Sequence, residues 1–278
     1  MRAILYRMER MAKSNPTVSG DDVRAVWDTN AAFWDERMGE GNAFHLQLVE
    51  PSVLQLLELQ RGERVLEIAC GNGQFARKLA SLGARVTATD FSPNMVERAR
   101  AHTEPFNDII DFRVVDATNE NELRALGEHE FDVVVCNMAI MDMSEIAPLF
   151  HAVPRLLTPR GRFVFATMHP CFNSNNPAFT AESRDVEGTI VETFALKLTR
   201  YLSAETSHGL AIIGQPAPQY YFHRPLHELL GEAFRAGLVL DGLLEPRIPD
   251  ETKSARWSSW FNFPEFPPVL AARCVVRG

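Results

Sequence analysis

The stretch from Arg64 to Ala80, RVLEIACGNGQFARKLA, followed by RVTATD from Arg85 to Asp90, constrains the fold more than any other part of the chain. Val65, Leu66 and Ile68 form the short apolar run of a buried strand. Gly71 and Gly73 lack a Cβ, so the backbone there can turn sharply and come close to a ligand. Phe75, Leu79 and Leu82 recur at helical spacing, so a helix starts directly after the turn, and Gly83 closes it. The next β-rich run stops at the carboxylate of Asp90. In a doubly wound sheet, ligands bind at the carboxyl ends of the strands, near the topological switch point. An acid at the end of the second strand is well placed to accept hydrogen bonds from two ribose hydroxyls. The block therefore reads as a site for an adenosine-type ligand.

The loop departs from the dinucleotide fingerprint G-x-G-x-x-G, in which a pyrophosphate lies against the helix N-terminus. The run here is Ala69-Cys70-Gly71-Asn72-Gly73-Gln74-Phe75-Ala76, in the register A-x-G-x-G-x-x-A, and Glu67 stands two residues before it. A carboxylate at the mouth of a phosphate cradle repels phosphate but suits a cationic or amino-bearing ligand. The pattern E-x-A-x-G-x-G resembles motif I of the class I S-adenosylmethionine-dependent methyltransferases, with Ala69 in place of the usual first glycine. Four further segments resemble the same family in the same order. Asp90-Phe91-Ser92-Pro93-Asn94-Met95 is similar to its acidic end of strand 2 and the helix start that follows. Val115-Asp116-Ala117 looks like its adenine-contacting turn, FDVVVCNMAIMDM (131–143) like its motif IV, and LLTPRGRFVF (156–165) like its turn into strand 5. The likeness covers roughly residues 60–170.

The resemblance implies S-adenosyl-L-methionine as cofactor and S-adenosyl-L-homocysteine as product. It places Glu67, Ala69, Gly71 and Gly73 in the glycine loop and Asp90 at the ribose. Phe91 is expected on the adenine face, Asp116 near the adenine amino group, the Ala117 backbone N–H at a ring nitrogen, and Asn137 at the methionine end. Each has a plainer alternative: Asp90 as a helix cap that Ser92 serves equally well, Asp116 and Asn137 as turn residues, Glu67 as an acid orienting the loop, and Phe91 as core. Trp27 to Phe44, WDTNAAFWDERMGEGNAF, together with HPCF (169–172) and FHRPL (222–226), resembles the ubiquinone/menaquinone C-methyltransferase-like small-molecule group. That group does not share one substrate. In it this N-terminal region closes over the cofactor, so Phe33 and Trp34 either face the sulfonium through cation–π contacts or dock an amphipathic helix on the sheet.

Alternating strand and helix signals with short turns predict an α/β fold with a parallel sheet covered on both faces. The resemblance implies that it is the Rossmann-like methyltransferase sheet of seven strands, the last one antiparallel. Helices are expected over 21–38, capped near Asp21 or Asp22, and over 44–60, interrupted or started near Pro51. Strands follow at 64–69, 85–89, near 109–115, 131–136 and 161–168. The intervening helices fall at 73–82, 93–103, 119–127 and 143–157. Pro225 to Ala236 reads as a helix, Leu238 to Leu244 as a sixth strand and Val269 to Val276 as the last, which the family inserts between strands 5 and 6. The expected organisation is a flexible extension over 1–20, a helical lid over 21–60 and the methyltransferase core over 61–278. Two insertions interrupt the core, 170–222, with an added strand in Thr189–Tyr201, and the aromatic-rich 245–268. Both would cover the open edge of the sheet and shape the acceptor pocket.

A formal net charge of −8 argues against a phosphate-tracking surface and thus against nucleic acid as substrate. There is no run of about 18 apolar residues that would span a membrane. Cys70, Cys136, Cys171 and Cys274 show no C-x-x-C pairing, so neither a zinc site nor a disulfide framework is expected, and a cytoplasmic monomer or homodimer is the natural reading.

For chemistry, methyl transfer from a sulfonium is an in-line displacement in which alignment does much of the work. A general base is expected for some acceptors. His169 at the end of strand 5, His223 before the helix at Pro225, and Asp142 in the motif IV turn are the candidates, each with a structural alternative. Arg224 either pairs with an acidic acceptor or with a surface carboxylate. The expected reaction is methyl transfer to a small organic acceptor, at oxygen first, then nitrogen or carbon, in secondary or specialised metabolism. Two other readings stay open: a nicotinamide-dependent oxidoreductase on a similar sheet, and an S-adenosylmethionine-binding protein without catalysis.

Overall fold

The computed structural model describes residues 18–249 and 254–277. Most of the expected N-terminal extension thus lies outside the described residues. Helix α1 runs Gly20–Met38. Its cap is Ser19 rather than Asp21 or Asp22: Ser19 Oγ accepts the Asp22 N–H at 3.2 Å, while Asp22 Oδ2 accepts the Ser19 N–H at 3.0 Å. This reciprocal capping box satisfies two donors that a helix start otherwise leaves open. The expected helix over 44–60 is a π-helical turn, His45–Val49, that continues into α2, Glu50–Leu57, with Pro51 in its first turn.

The central sheet is built from β1 (Arg64–Ile68), β2 (Arg85–Asp90), β3 (Ile110–Val114), β4 (Phe131–Asn137), β5 (Leu157–Met168), β10 (Leu238–Leu244) and β11 (Val269–Val276). Their order is β10-β11-β5-β4-β1-β2-β3. β11 is antiparallel to both of its neighbours, β5 and β10; the other pairings are parallel. From β1 the chain steps outward to β2 and β3, then returns to the other side of β1 as β4. The switch point therefore lies between β1 and β4, and the crevice opens at their carboxyl ends.

Helices α3 (Gln74–Ser81), α4 (Pro93–Ala101), α5 (Glu120–Arg124), α6 (Ala147–Leu156) and α7 (Leu226–Arg235) cover the sheet. β1 is buried on both faces, as its apolar run requires. Val65 joins a core with Phe75, Leu79 and Phe112, whereas Leu66 and Ile68 join one with Phe150, Phe163 and Phe165. The last three rings pack with centroids 5.4–5.9 Å apart. Burying each such ring stabilises the fold by about 1.5–3 kcal/mol.

The expected helix at 143–157 is shorter. A 3₁₀ turn occupies Ile140–Asp142, and α6 begins at Ala147, where Pro148 sets its first turn. The insertion after β5 holds two hairpins. β6 (Ala178–Val186) pairs with β7 (Thr189–Lys197), the strand expected within Thr189–Tyr201, and β8 (Glu205–Gly209) pairs with β9 (Gln219–His223). The β6–β7 hairpin is mostly exposed but is anchored at its base, where Phe179 and Phe194 lie 4.7 and 5.4 Å from the Phe263 ring. No described helix is long and apolar enough to cross a membrane.

Candidate functional site

The carboxyl ends of β1, β2 and β4 converge on a cavity of about 1280 Å³, roofed by α1, the π-helical turn and the β8–β9 hairpin. Ligand pockets commonly measure about 300–1,000 Å³. The larger volume here accommodates a nucleoside-sized molecule and a second ligand beside it.

The loop after β1 forms one wall. Ala69 and Gly71 have φ of +57° and +55°, the left-handed region that costs a residue with a Cβ. A Cβ built on Gly71 would meet nothing within 4 Å, since that face opens onto the cavity. Gly73 has φ of +74° but does not line the cavity. A Cβ there would sit 3.0 Å from Ala99 Cβ and from the Phe112 ring, so Gly73 lets α3 start tightly against α4 and β3. Its contribution is to loop geometry, not to ligand contact.

Asp90, at the end of β2, is buried and lines the cavity. Its Oδ2 accepts the Gly71 N–H at 3.0 Å and its Oδ1 accepts the Ser92 N–H at 2.9 Å. The cap of α4 is Ser92, whose Oγ accepts the Met95 N–H at 3.1 Å, so Asp90 remains available to the cavity. Burial pushes the Asp90 carboxyl up to about 6 even though the backbone N–H groups of Ser92 and Gly71 favour its charged form. Glu67 is buried beneath the loop with Oε2 unpartnered. Desolvation, and then the charge of Asp90, raise its carboxyl to about 8. Buried polar groups are normally hydrogen-bonded, so an orphaned carboxylate oxygen marks a place that a cationic or amino-bearing ligand would satisfy.

The other expected cofactor residues meet the same cavity. Phe91, Asp116 and Ala117 line it at the ends of β2 and β3. Asp116 Oδ1 accepts the Thr118 N–H and hydroxyl at 2.8 and 2.7 Å, while its Oδ2 faces Arg24 Nη2 at 3.1 Å. Asn137, at the end of β4, lines the cavity with both Oδ1 and Nδ2 buried and unpartnered. Trp34 lines it from α1, its ring 5.3 Å from Trp27 and its Nε1 without a partner. Phe33 is not on the wall; the Arg37 guanidinium lies 5.3 Å from its ring. Helix α1 is tied down on several sides. Ser92 Oγ donates to Asp28, Asn72 Nδ2 to Asp35 and Gly39, and Arg98 Nη1 to Asp35 at 3.2 Å. The fully buried Asn30 exchanges two 2.9 Å hydrogen bonds with the Ala217 backbone.

Of the three candidate bases, the structure brings only Asp142 to the cavity. It is buried, receives Gln219 Nε2 at 3.3 Å on Oδ1, and burial holds its carboxyl well above the ordinary range. His169 and His223 do not line the cavity. His169 Nδ1 accepts the Cys171 N–H at 3.1 Å and its Nε2 pairs with Glu245 at 2.8 Å. His223 Nδ1 lies 2.7 Å from Ser174 Oγ and its Nε2 donates to the Tyr201 carbonyl at 2.7 Å. His169 stands at the end of β5 as expected, His223 ends the unexpected strand β9 just before α7, and all four ring nitrogens have partners. Arg224 does not line the cavity and pairs with no carboxylate among the described residues. It donates to the carbonyls of Met143 and Ser144, both at 2.6 Å, and fixes the turn that carries Asp142.

Several wall residues have no motif to announce them. His45 reaches the cavity because the π-helical turn rotates it inward, with Nε2 3.7 Å from Glu50. Gln219 and Tyr221 come from a hairpin inside an insertion; Tyr221 belongs to the run before Pro225, and no sequence signal marks Gln219. Asn72 had a signal, its place between Gly71 and Gly73. Among the described residues no group of three or more His, Cys, Asp or Glu side chains could hold a metal ion.

Residues 66–165 match the methyltransferase domain family. A ubiquinone biosynthesis O-methyltransferase of Xanthomonas oryzae pv. oryzae is 33% identical over 108 residues, 39% of this chain and 44% of that protein. One from Alkalilimnicola ehrlichii is 31% identical over 149 residues, 52% of this chain and 58% of its own length. The chain thus spans about half the length of these curated relatives. An S-adenosylmethionine-dependent methyltransferase structure from Mesorhizobium loti superposes with a TM-score of 0.62 at 25% identity, covering 81% of this chain and 95% of that one. The chain carries a class I S-adenosylmethionine-dependent methyltransferase domain.

Proposed function

We propose that this protein transfers a methyl group from S-adenosyl-L-methionine to a small organic acceptor, with oxygen the favoured accepting atom. The observation that carries the reading is the set of unpartnered polar atoms around the strand ends: Glu67 Oε2 and both side-chain atoms of Asn137, buried on the wall of one cavity. A phosphate-bearing dinucleotide leaves a buried Glu67 unsatisfied, whereas an amino-acid ammonium pairs with it. When bound, the cofactor supplies an electrophilic methyl on a sulfonium whose thioether is a good leaving group. The chain's own part is to hold and align. Asp90 takes the ribose end while keeping Gly71 in place, and Asp116 and Phe91 receive the adenine. Asn137 and Glu67 take the methionine end, and α1 with Trp34 closes water out.

The names of the Xanthomonas and Alkalilimnicola relatives support oxygen as acceptor, although the matched region is the cofactor half of the fold. Residues 21–60 act as the lid in this reading, and the insertions 170–222 and 245–268 shape the acceptor end. Four free thiols, three of them buried, suit a reducing cytoplasm. The test is methyl transfer from radiolabelled S-adenosyl-L-methionine to a panel of phenols, amines and enolisable carbonyls, with S-adenosyl-L-homocysteine release followed in parallel. Product from a phenol supports the reading. Tight cofactor binding with no acceptor methylated in any class would favour a cofactor-binding protein without catalysis.

A further inference from the structure

Beyond the cofactor loops, the cavity is walled by Met141, Met143, Met168, Phe179, Tyr221 and Trp260. These apolar and aromatic side chains stand beside polar ones such as Asn176, Ser207 and His208, and Asp142 is the buried carboxyl among them. Asp142 Oδ1 has a single 3.3 Å hydrogen bond from Gln219, and its Oδ2 has none. A buried carboxyl with an open oxygen on a cavity wall calls for a donor from the ligand.

Among the described residues the cavity lining contains no lysine or arginine. Its acidic groups are Glu67, Asp90 and Asp116 at the nucleoside end and Asp142 and Glu205 at the other, and the imidazoles of His45 and His208 also line it. The guanidinium groups near the wall are already engaged. Arg24 faces Asp116 at 3.1 Å, Arg77 donates to the Asn72 carbonyl and Glu40 at 2.9 Å each, and Arg224 serves the carbonyls of Met143 and Ser144. At the rim, Arg200 lies 3.5 Å from Glu205 and offsets that charge, so Asp142 remains as the uncompensated acid. An anionic acceptor entering here would lose its water and find no cation to replace it. A hydroxyl or an ammonium would instead donate to Oδ2, and an ammonium would pair with the carboxylate.

We propose that Asp142 is a specificity-determining residue, and that the acceptor is an aromatic molecule that bears no negative charge and donates an O–H or N–H to Asp142. This deepens the methyl-transfer reading and rests on it.

The test is calorimetric titration of protein saturated with S-adenosyl-L-homocysteine, using tyramine, tyrosol and 4-hydroxyphenylacetate. The three probes share one phenol ring and differ in carrying an ammonium, a hydroxyl or a carboxylate. Tyramine and tyrosol are expected to bind at least tenfold more tightly than the acetate. Asp142→Asn is expected to weaken tyramine most and to narrow the difference, with S-adenosyl-L-homocysteine affinity kept. The proposal is overturned if the acetate binds as well as tyramine, if no probe binds the loaded protein, or if Asp142→Asn weakens all three equally. The wild-type charge series decides the matter even where Asp142→Asn fails to fold. Failure of the wild-type protein to bind S-adenosyl-L-homocysteine would instead strike the methyl-transfer reading, so the two failures are distinguishable.

Discussion

Arg24 on α1 places its Nη2 3.1 Å from Oδ2 of Asp116, tying the N-terminal helix to the turn after β3 across 92 residues of chain. The same carboxylate is the one expected at the adenine amino group, so the covering helix and the nucleoside end share one acid. The pair is partly exposed and its net contribution to stability is small, about 0–1 kcal/mol. Its effect should be local. Arg24→Ala is expected to speed amide exchange over Val23–Asn30 severalfold with little change in melting temperature. Unchanged exchange in that segment would mean that the Ser92, Asn72 and Arg98 contacts alone hold α1.

Glu67 links protonation to ligand binding. Its folded carboxyl sits near 8 against an ordinary 4.5, and that of Asp90 near 6 against 3.8. A raised folded value favours the protonated native state. That stabilisation is fully present below the ordinary value and is lost as pH rises through the raised one. The ligand-free protein should therefore lose stability as pH rises from about 4.5 to 8, and Glu67→Gln should flatten that loss above pH 6. An incoming ammonium favours the ionised carboxylate, so S-adenosyl-L-homocysteine binding at pH 7 should release protons from the wild type and fewer from Glu67→Gln. Titration calorimetry in buffers of different ionisation enthalpy reads this directly. Equal proton release from both proteins would show that Glu67 is not the linked group.

Ala69 occupies a backbone conformation suited to glycine, with φ of +57°. An L-residue there costs about 1–2 kcal/mol, and glycine gives back about 0.4–1 kcal/mol through a freer unfolded chain. Ala69→Gly should therefore raise stability by up to about 1 kcal/mol, or roughly 2–4 °C in melting temperature. A drop would mean that the Ala69 methyl makes packing contacts that outweigh the backbone cost.

His169 and His223 are placed to anchor their loops, and loss of either is expected to act on stability rather than on turnover. Each uses both ring nitrogens within the protein, and neither reaches the cavity wall. His223→Ala should lower stability by about 1–3 kcal/mol by stranding Ser174 and the Tyr201 carbonyl. Loss of a general base would instead lower the turnover rate by about 10²–10⁴-fold with the fold intact. Steady-state kinetics beside a denaturation curve separates the two outcomes.

The parts of this protein legible in its sequence are those that local chemistry decides. The run from Arg64 to Asp90 specifies strand, turn, helix and strand because its apolar spacing, glycines and terminal acid all agree, and the cavity forms on that run. The alternating elements specify a parallel sheet, and the family resemblance supplies the place of the apolar last strand, Val269–Val276. What the sequence withholds is decided by tertiary packing. His169 sits at the expected end of β5 and His223 before α7, but the partners of their ring nitrogens keep both off the cavity wall. β7 is legible in the alternation of Thr189–Tyr201, whereas its partner β6 is exposed along most of its length and gives no such signal. Gln219 and Tyr221 lie far in sequence from Asp142 and meet it only when the insertion folds back over the 3₁₀ turn at Ile140–Asp142.

The central claim is that the corner formed by Gly71, Glu67, Asp90 and Asn137 binds S-adenosyl-L-methionine and its product. Calorimetric titration of S-adenosyl-L-homocysteine and of NAD⁺ into the wild type and Asp90→Ala tests it most directly. Loss of hydrogen bonds to a charged group costs about 1.5–3 kcal/mol each, or roughly ten- to a hundredfold in affinity. The account predicts saturable binding of S-adenosyl-L-homocysteine to the wild type, at least tenfold weaker binding to Asp90→Ala, and no heat from NAD⁺. Binding of NAD⁺, or unchanged S-adenosyl-L-homocysteine affinity in Asp90→Ala, would contradict it.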